Sequence, residues 1–485
     1  MNLATSITIA LFVADLLLRV GLSARVIMRR RPVGVSLAWL TIILIFPFGG
    51  ALIYLAIGET RLGTRRARRA ERIHAPYLEW LNHLETRKHI DWSQLGQECE
   101  PLARLTEATV GIPALPGNAL ELIDNAEDVF RAIIADIDAA ERTCHMVLYI
   151  WGNGGTADEV AEALIRASAR GVICRVLLDD VGSMDFLRSE MAGRMRGAGI
   201  QLRAALPVGL VRAVFVRFDL RMHRKIVVID GELAYAGSLN MVDPRYFKRG
   251  SGVGQWIDAM VRVRGPAVEG LAITFLEDWE LETAEGVEQL RETGDVRALE
   301  EQGNAAVQVV PSGPVTESHT IQQVLLMAIY AARRELILTS PYFVPDELLL
   351  TALVSAARRG VDVTLIVPAR VDSHLVRLAT QAHKIDLLAA GVRIALFERG
   401  LLHTKSITVD GEFSLFGSLN LDPRSLWLNF EITLSVYDRP FTNRLRQLQQ
   451  RYLAQSQLMD LETWKRRPKV EQLVVNAARL LAPLL

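Results

Sequence analysis

A repeat constrains this chain more than any other feature. Met222 to Asn240, MHRKIVVIDGELAYAGSLN, returns in its essentials at Leu402 to Asn420, LHTKSITVDGEFSLFGSLN. Both copies read His-x-Lys-x4-Asp-x6-Gly-Ser-Leu-Asn, setting His223, Lys225, Asp230, Gly237, Ser238 and Asn240 against His403, Lys405, Asp410, Gly417, Ser418 and Asn420. Only two of the nine histidines carry this spacing. The alternation from Lys225 to Asp230 predicts a buried strand, on which His and Lys, two apart, share one face of a sheet.

A histidine and a lysine on one face, followed by an asparagine after a Gly-Ser turn, suit phosphoryl chemistry. The imidazole can attack or protonate near neutral pH, while ammonium and amide donors hold the charge that develops on non-bridging oxygens. One copy supplies half a site. Two copies meeting across an internal pseudo-twofold would place a histidine on each side of one phosphorus, one as nucleophile and one as acid for the leaving group.

The pattern resembles the paired HKD motifs of the phospholipase D superfamily. The flanking text, GSLNMVDPRYFKRGSGVGQWID and GSLNLDPRSLWLNFE, is similar to that of the bacterial cardiolipin synthases, and the likeness covers nearly the whole chain. The resemblance implies a reaction through a phosphohistidine. It assigns catalysis to His223, Lys225, Asp230, His403, Lys405 and Asp410, with His223 as nucleophile and His403 as general acid and then base. The sequence alone does not separate the two histidines. Asn240, Asn420, Ser238 and Ser418 are expected to bind substrate. The family also places a carboxylate on a later strand behind each histidine, and Asp258 and Glu431 are the matching positions, orienting the imidazoles. The motif aspartates, near strand ends, are read as anchoring loops or pairing locally rather than touching the histidines.

The expected function is phosphatidyl transfer between two phosphatidylglycerol molecules to give cardiolipin and glycerol; phosphatidylethanolamine could replace one partner. A membrane phospholipase D releasing phosphatidate is the alternative on the same fold. A nuclease fits poorly with the apolar segments, and a scaffold with a defunct site fits poorly with intact motifs. No metal-ligand cluster appears, and cationic side chains make a metal or other cofactor unnecessary.

With 485 residues, half of them hydrophobic, the chain can hold two or three domains. Its 55 basic and 55 acidic residues exert no global pull toward nucleic acid. Cys99, Cys144 and Cys174 cannot all pair and show no metal spacing, which favours a reduced compartment. A homo-oligomer is left open.

Leu3 to Leu22 is long enough to cross a bilayer, although Asp15 and Arg19, four apart, interrupt it and can pair on one helix face. A cleaved signal peptide is disfavoured, because no basic region precedes the apolar run. Val33 to Ile57 has no charge and reads as a stronger span, kinked at Pro47, Gly49 and Gly50. Arg25, Arg29, Arg30 and Arg31 precede it, and Arg61, Arg65, Arg66, Arg68, Arg69 and Arg72 follow. Positive charge at both ends only leans toward a cytoplasmic catalytic domain on a multi-pass protein of the bacterial inner membrane. A re-entrant hairpin bent at Phe46 to Gly50, with both arginine clusters on one side, is the competing reading.

The fold expected is α/β: a duplicated phospholipase D-like domain pair with mixed sheets flanked by helices, preceded by two membrane segments. The divisions are a membrane anchor over 1–58, linker helices over 59–114, a first half over 115–281, a linker over 282–304, a second half over 305–460 and a basic-apolar tail over 461–485. His74, His83 and His89 in the linker helices lack ligand-like partners. Helix and strand patterns at Asp128 to Ala140, Met146 to Trp151, Ala157 to Ala169 and Val172 to Asp179 repeat at Ile321 to Ala332, Leu336 to Thr339, Leu348 to Arg359 and Val361 to Val367. Gly199-Ile200 and Gly391-Val392 each open a further strand.

The first half is longer between that strand and its histidine. Its extra segment, Leu206 to Phe218, with Arg212 and Arg217, reads either as a packed loop or as a lip for acyl chains. In the tail, Lys465, Arg466 and Arg467 precede Val470 to Leu485, where Leu473, Val474, Ala477, Leu480, Leu481 and Leu484 could form a membrane-facing or core-packing stripe.

Overall fold

The computed structural model describes residues 3–29, 33–59, 64–82, 90–208, 217, 219–247, 250, 252–283, 285–314, 319–372, 374–470, 473 and 475. The expectations for Arg30, Arg31, Arg61, His83, His89, Arg212 and most of the tail therefore lie outside the described residues.

The first half contributes strands β1 (Leu115–Ile123), β2 (Thr143–Leu148), β3 (Ile173–Asp179), β4 (Gln201–Ala205), β5 (Ile226–Ile229), β6 (Leu233–Gly237), β7 (Trp256–Ile257) and β8 (Met260–Arg264). The second contributes β9 (Ala305–Ser312), β10 (Glu335–Thr339), β11 (Asp362–Pro368), β12 (Arg393–Phe397), β13 (Leu401–Leu402), β14 (Lys405–Val409), β15 (Phe413–Gly417), β16 (Glu431–Tyr437) and β17 (Ser456–Leu458). Fifteen of them form one sheet in the order β17-β12-β11-β10-β14-β15-β16-β9-β1-β8-β6-β5-β2-β3-β4.

That order is nearly a palindrome. The halves meet where β9 pairs antiparallel with β1, and reading outward from the seam each half repeats the same strand sequence. The sheet is mixed: β2, β3 and β4 run parallel, as do β10, β11 and β12, while the motif strands pair antiparallel beside them. β2 is buried at every position, as fits a strand covered on both faces. Helices Ala126–Ala139 and Thr156–Ala169 cover one half, and Thr320–Ala331 and Glu347–Arg358 cover the other. The helix Ala267–Glu282 is buried along nearly its whole length against the sheet.

The motif strands begin later than the alternation predicts. β5 starts at Ile226 and β14 at Lys405, so both histidines sit just ahead of the regular strand, at its mouth. Each strand ends in an Asp-Gly turn, with Asp230 and Gly231 at φ 51° and 59°, and Asp410 and Gly411 at 54° and 73°. Two successive positive φ angles are what a tight hairpin with the sheet's own twist requires, and Asp-Gly supplies them cheaply. The turns close through Glu232 N–H to Ile229 O at 3.0 Å and Glu412 N–H to Val409 O at 2.9 Å.

The stretch 282–304, expected as a linker, is packed structure. It holds a helix, Val287–Thr293, whose Leu290 is fully buried, and it is tied down by Arg175, which bonds Thr293 O at 3.0 Å and Thr293 Oγ1 at 2.8 Å. Arg175 is a buried residue of β3 that also meets His145 Nε2 at 3.2 Å and Glu285 at 3.3 Å, so the link completes the partners of a buried cation. Cys99, Cys144 and Cys174 are buried free thiols.

Ahead of this body, α1 (Leu3–Met28) is the one described helix long and apolar enough to cross a membrane. The uncharged stretch from Val33 does not form the second full span expected of it. It breaks into α2 (Val33–Ile45) and α3 (Gly49–Ile57) around Phe48, which has φ 49°. At 13 and 9 residues these helices are roughly 20 and 14 Å long, short of a hydrocarbon core of about 30 Å.

The break faces polar groups midway along α1. Asp15 accepts the Phe48 N–H at 2.9 Å and pairs with Arg19 at 2.7 Å, and Arg19 donates to Leu44 O at 2.7 Å. The far end of α3 returns to the C-terminal end of α1, where buried Glu59 takes Arg25 at 2.6 Å, Arg29 at 3.3 Å and the Tyr54 hydroxyl at 2.8 Å. The second segment is therefore a hairpin that enters and leaves beside the same end of α1.

Candidate active site

Each motif histidine is fastened to the other half of the protein. His223 N–H donates to Phe430 O at 2.9 Å, and His403 N–H donates to Ile257 O at 2.8 Å. The residue after each of those carbonyls is a carboxylate, so Glu431 reaches His223 Nδ1 at 2.7 Å and Asp258 reaches His403 Nδ1 at 2.6 Å. The pairing thus crosses the pseudo-twofold: Asp258 serves the second-half histidine and Glu431 the first, rather than each serving the histidine of its own repeat.

The Gly-Ser-Leu-Asn turns make this crossing fit. A Cβ on Gly237 would lie 2.5 Å from Ala259 O, and one on Gly417 would lie 2.1 Å from Ile432 O, so only glycine permits the close approach. The serines that follow hold the carboxylates. Ser238 Oγ donates to Asp258 Oδ1 at 2.6 Å and Ser418 Oγ to Glu431 Oε2 at 2.5 Å. These two serines, expected to bind substrate, are instead committed to the groups that orient the histidines.

Lys225 and Lys405 are buried and curl back to the carbonyls of their own histidines, Lys225 Nζ to His223 O at 2.7 Å and Lys405 Nζ to His403 O at 2.6 Å. An ammonium has three donors, so each retains hydrogens for a phosphate. Asn240 Oδ1 accepts the Ile150 N–H at 3.2 Å, while its Nδ2 is buried with no protein partner, as is Asn420 Oδ1. Buried amide atoms without partners are costly unless a ligand completes them.

Asp230 and Asp410 are not part of this cluster. Asp230 accepts the N–H groups of Glu141, Arg142 and Thr143, and Asp410 those of Arg333, Arg334 and Glu335. They sit at the hairpin end of the motif strands, seven residues from the histidines and roughly 20 Å away along an extended chain. Their place in the motif is explained by folding, since each pins the start of a neighbouring strand.

The structure adds residues that the motif does not announce. Tyr149 meets His223 edge-on with ring centroids 4.9 Å apart, and its ring lies 5.5 Å from Lys225 Nζ. Trp256 packs 4.4 Å from His403. Asp179, buried at the end of β3, accepts the Met222 N–H at 2.9 Å and so holds the residue before His223. The Tyr-Ile-Trp run and the Gln-Trp-Ile-Asp run were visible in sequence, but their spacing alone does not reveal what they touch.

Burial dominates the electrostatics. It drives His223 down to about 4 against the raising pull of Glu431, and His403 down to about 4 against that of Asp258. Burial likewise lowers Lys225 to about 8 and Lys405 well below its ordinary value. Burial pushes the Glu431 and Asp258 carboxylates up, but the neighbouring His223 and His403, with the lysines, outweigh it and leave both lowered. Near neutral pH the site therefore holds two carboxylates and two neutral imidazoles beside the lysines, with Nδ1–H donated to the carboxylate and Nε2 free to react.

Fold and site together define the class: a duplicated phospholipase D-like enzyme whose two motif histidines are each held by a carboxylate of the other half. The comparisons with known proteins agree. A family model described as "Cardiolipin synthase, PLD-like domain" matches residues 133–257 and 325–453, and a "Phospholipase_D-nuclease N-terminal" model matches 17–59. Cardiolipin synthase A of Klebsiella pneumoniae (strain 342) is 47% identical over 469 residues, which is 97% of this chain and 96% of that protein. Cardiolipin synthase A of Yersinia pseudotuberculosis serotype O:1b is 46% identical over the same shares. The crystal structure of phosphatidylserine synthase from Haemophilus influenzae Rd KW20 shares the fold, with a TM-score of 0.60 at 14% identity over 79% of this chain and 100% of that one. The chain belongs to the cardiolipin synthase family.

The charge balance generates a prediction. Adding a phosphodiester anion beside two neutral imidazoles favours protonation of one of them, whose pKa must rise from about 4. Binding of a non-reactive phosphodiester at pH 7 should take up about one proton per site, read as buffer-dependent heat in titration calorimetry. Uptake should shrink as the pH falls toward 4, where the imidazoles already bind protons without the ligand. Binding with no proton uptake at pH 7 would contradict this electrostatic account.

Proposed function

We propose that this protein is a phosphatidyltransferase of the bacterial membrane that joins two phosphatidylglycerol molecules into cardiolipin and glycerol. The observation that carries the reading is the crossed pair, two imidazoles with free Nε2 atoms held by carboxylates from opposite halves, beside two lysines, in a chain covering its cardiolipin synthase relatives almost end to end.

In the proposed reaction His223 Nε2 attacks the phosphorus of the donor lipid. The bond to the leaving glycerol oxygen breaks, and His403, protonated when the phosphodiester binds, gives that oxygen its proton. Lys225, Lys405 and the amides of Asn240 and Asn420 hold the non-bridging oxygens. His403, now neutral, takes the proton from the hydroxyl of the second lipid as its oxygen displaces His223 from phosphorus. Glu431 and Asp258 keep each Nδ1–H in place, so that Nε2 is the reactive nitrogen at both steps. The chemistry needs no metal or cofactor beyond these residues.

This exchanges one phosphodiester for another, so the chemical step lies near equilibrium, whereas hydrolysis in water does not reverse comparably. Excess glycerol added to enzyme and purified cardiolipin should regenerate phosphatidylglycerol. His223→Ala and His403→Ala should each lose this reaction and the forward one by about 10⁴-fold or more while remaining folded, because nucleophile and acid act as one unit. Phosphatidate as the main product, with cardiolipin untouched by glycerol, would favour the phospholipase reading. Near wild-type activity in either mutant would sink the shared site.

The hairpin supports one topology over the other in this reading. With α2 and α3 re-entrant, α1 alone among the described helices crosses, and Arg25 and Arg29 fall on the face where Glu59 leaves the hairpin, which the positive-inside rule makes cytoplasmic. The catalytic body follows on that side, and the first residues of the chain lie opposite. A cysteine placed at Asn2 should react with an impermeant maleimide in intact spheroplasts, while one placed at exposed Glu462 should react only after lysis. Equal labelling of both before lysis would contradict the re-entrant arrangement.

A further inference from the structure

The two halves differ at one corner of the site. In register, Asp179 at the end of β3 faces Ala205 at the end of β4, just as Pro368 at the end of β11 faces Phe397 at the end of β12. In the first half this corner is acidic. Asp179 is spent on the N–H groups of Val181, Gly182 and Met222, and Asp180 accepts the Val208 N–H at 2.8 Å from the start of the extra segment. The other end of that segment is pinned as well, since Asp219 takes Arg217 at 2.5 Å and Arg424 at 3.1 Å.

In the second half the matching corner is open and basic. A cleft of about 310 Å³ lies there, lined among others by Gly254, Arg370, Glu398, Arg399 and Gly400. Arg370 and Arg399 are exposed and make no ion pair with any other described residue. Two guanidiniums against the single Glu398 carboxylate leave the cleft with an excess of positive charge matched to one phosphodiester anion.

The cleft also stands next to one histidine in particular. Gly400 is three residues before His403, so within about 11 Å of it. The wall between them is β13 paired with β7, and the Trp256 of β7 touches the His403 ring. A lipid acceptor that brings its glycerol hydroxyl to His403 carries its own phosphate one three-carbon spacer away. Water, or free glycerol, carries none.

We infer that Arg370 and Arg399 form a second anion subsite that holds the phosphate of the acceptor lipid while its hydroxyl is presented to His403. This rests on the transferase reading above. In the step it serves, the acceptor oxygen bonds to phosphorus, the phosphorus–nitrogen bond to His223 breaks, and the hydroxyl proton passes to His403 Nε2. The subsite selects a phosphorylated acceptor over water. It plays no part in the first transfer, whose phosphate lies between the histidines.

The test compares two acceptors with one donor. Full-length enzyme in mixed micelles of detergent and phosphatidylglycerol is assayed for cardiolipin formation and, separately, for exchange of labelled glycerol into the phosphatidylglycerol headgroup. The double variant Arg370→Gln, Arg399→Gln should lose roughly tenfold to a hundredfold in cardiolipin formation at low lipid fraction and recover toward wild type at high fraction. Glycerol exchange should stay within about twofold, since free glycerol needs no phosphate clamp. Arg370→Lys, Arg399→Lys should restore part of the loss at unchanged exchange. Equal losses in both assays, or no loss in either, would overturn the subsite. A wild-type enzyme that exchanges no glycerol and releases phosphatidate would overturn the transferase reading itself, and the subsite with it.

Discussion

Two hydrogen bonds carry this architecture: Glu431 to His223 and Asp258 to His403, each running from one half of the chain to the other. A buried imidazole or carboxylate alone is expensive, and each is tolerable here only because its partner arrives across the pseudo-twofold. Neither half can complete its own site. The central seam of β9 on β1, the glycines that let β6 and β15 close on their neighbours, and the serines that hold the carboxylates all serve that mutual dependence.

The same burial sets the chemistry. Imidazoles driven down to about 4 are neutral and nucleophilic near pH 7, and an arriving phosphate supplies the charge that allows one of them to carry a proton. Aromatic faces, Tyr149 beside His223 and Trp256 beside His403, line the approach to the reactive nitrogens. A site so enclosed favours transfer to a hydroxyl delivered by a bound lipid over attack by bulk water.

Much of this was legible in the chain. The repeat fixed the duplication, the histidines and lysines, and the alternating helices and strands, because hydrophobic period and motif spacing are local properties. The crossing was not legible. Asp258 and Glu431 occupy equivalent positions, and nothing in spacing says whether each meets its own repeat's histidine or the other's; that is decided by how the seam strands pair. The Asp-Gly pair was a visible hairpin signal whose structural meaning competed with membership of the motif. The stretch 282–304 looked like a linker because it is acidic, yet buried Arg175 needs the Thr293 carbonyl and hydroxyl it provides. Val33 to Ile57 read either as one span or as a hairpin bent at Phe46 to Gly50, and hydropathy could not choose because it is blind to Asp15, which meets the Phe48 N–H from another helix.

The central claim is that both histidines act on a single phosphorus. Rapid quenching of the enzyme during turnover with lipid labelled in the phosphatidyl group, followed by peptide mapping of the acid-labile, base-stable adduct, tests it most directly. The account predicts at most one phosphatidyl group per chain, confined to the peptide containing His223. Two groups per chain, or comparable labelling of the His223 and His403 peptides, would contradict it.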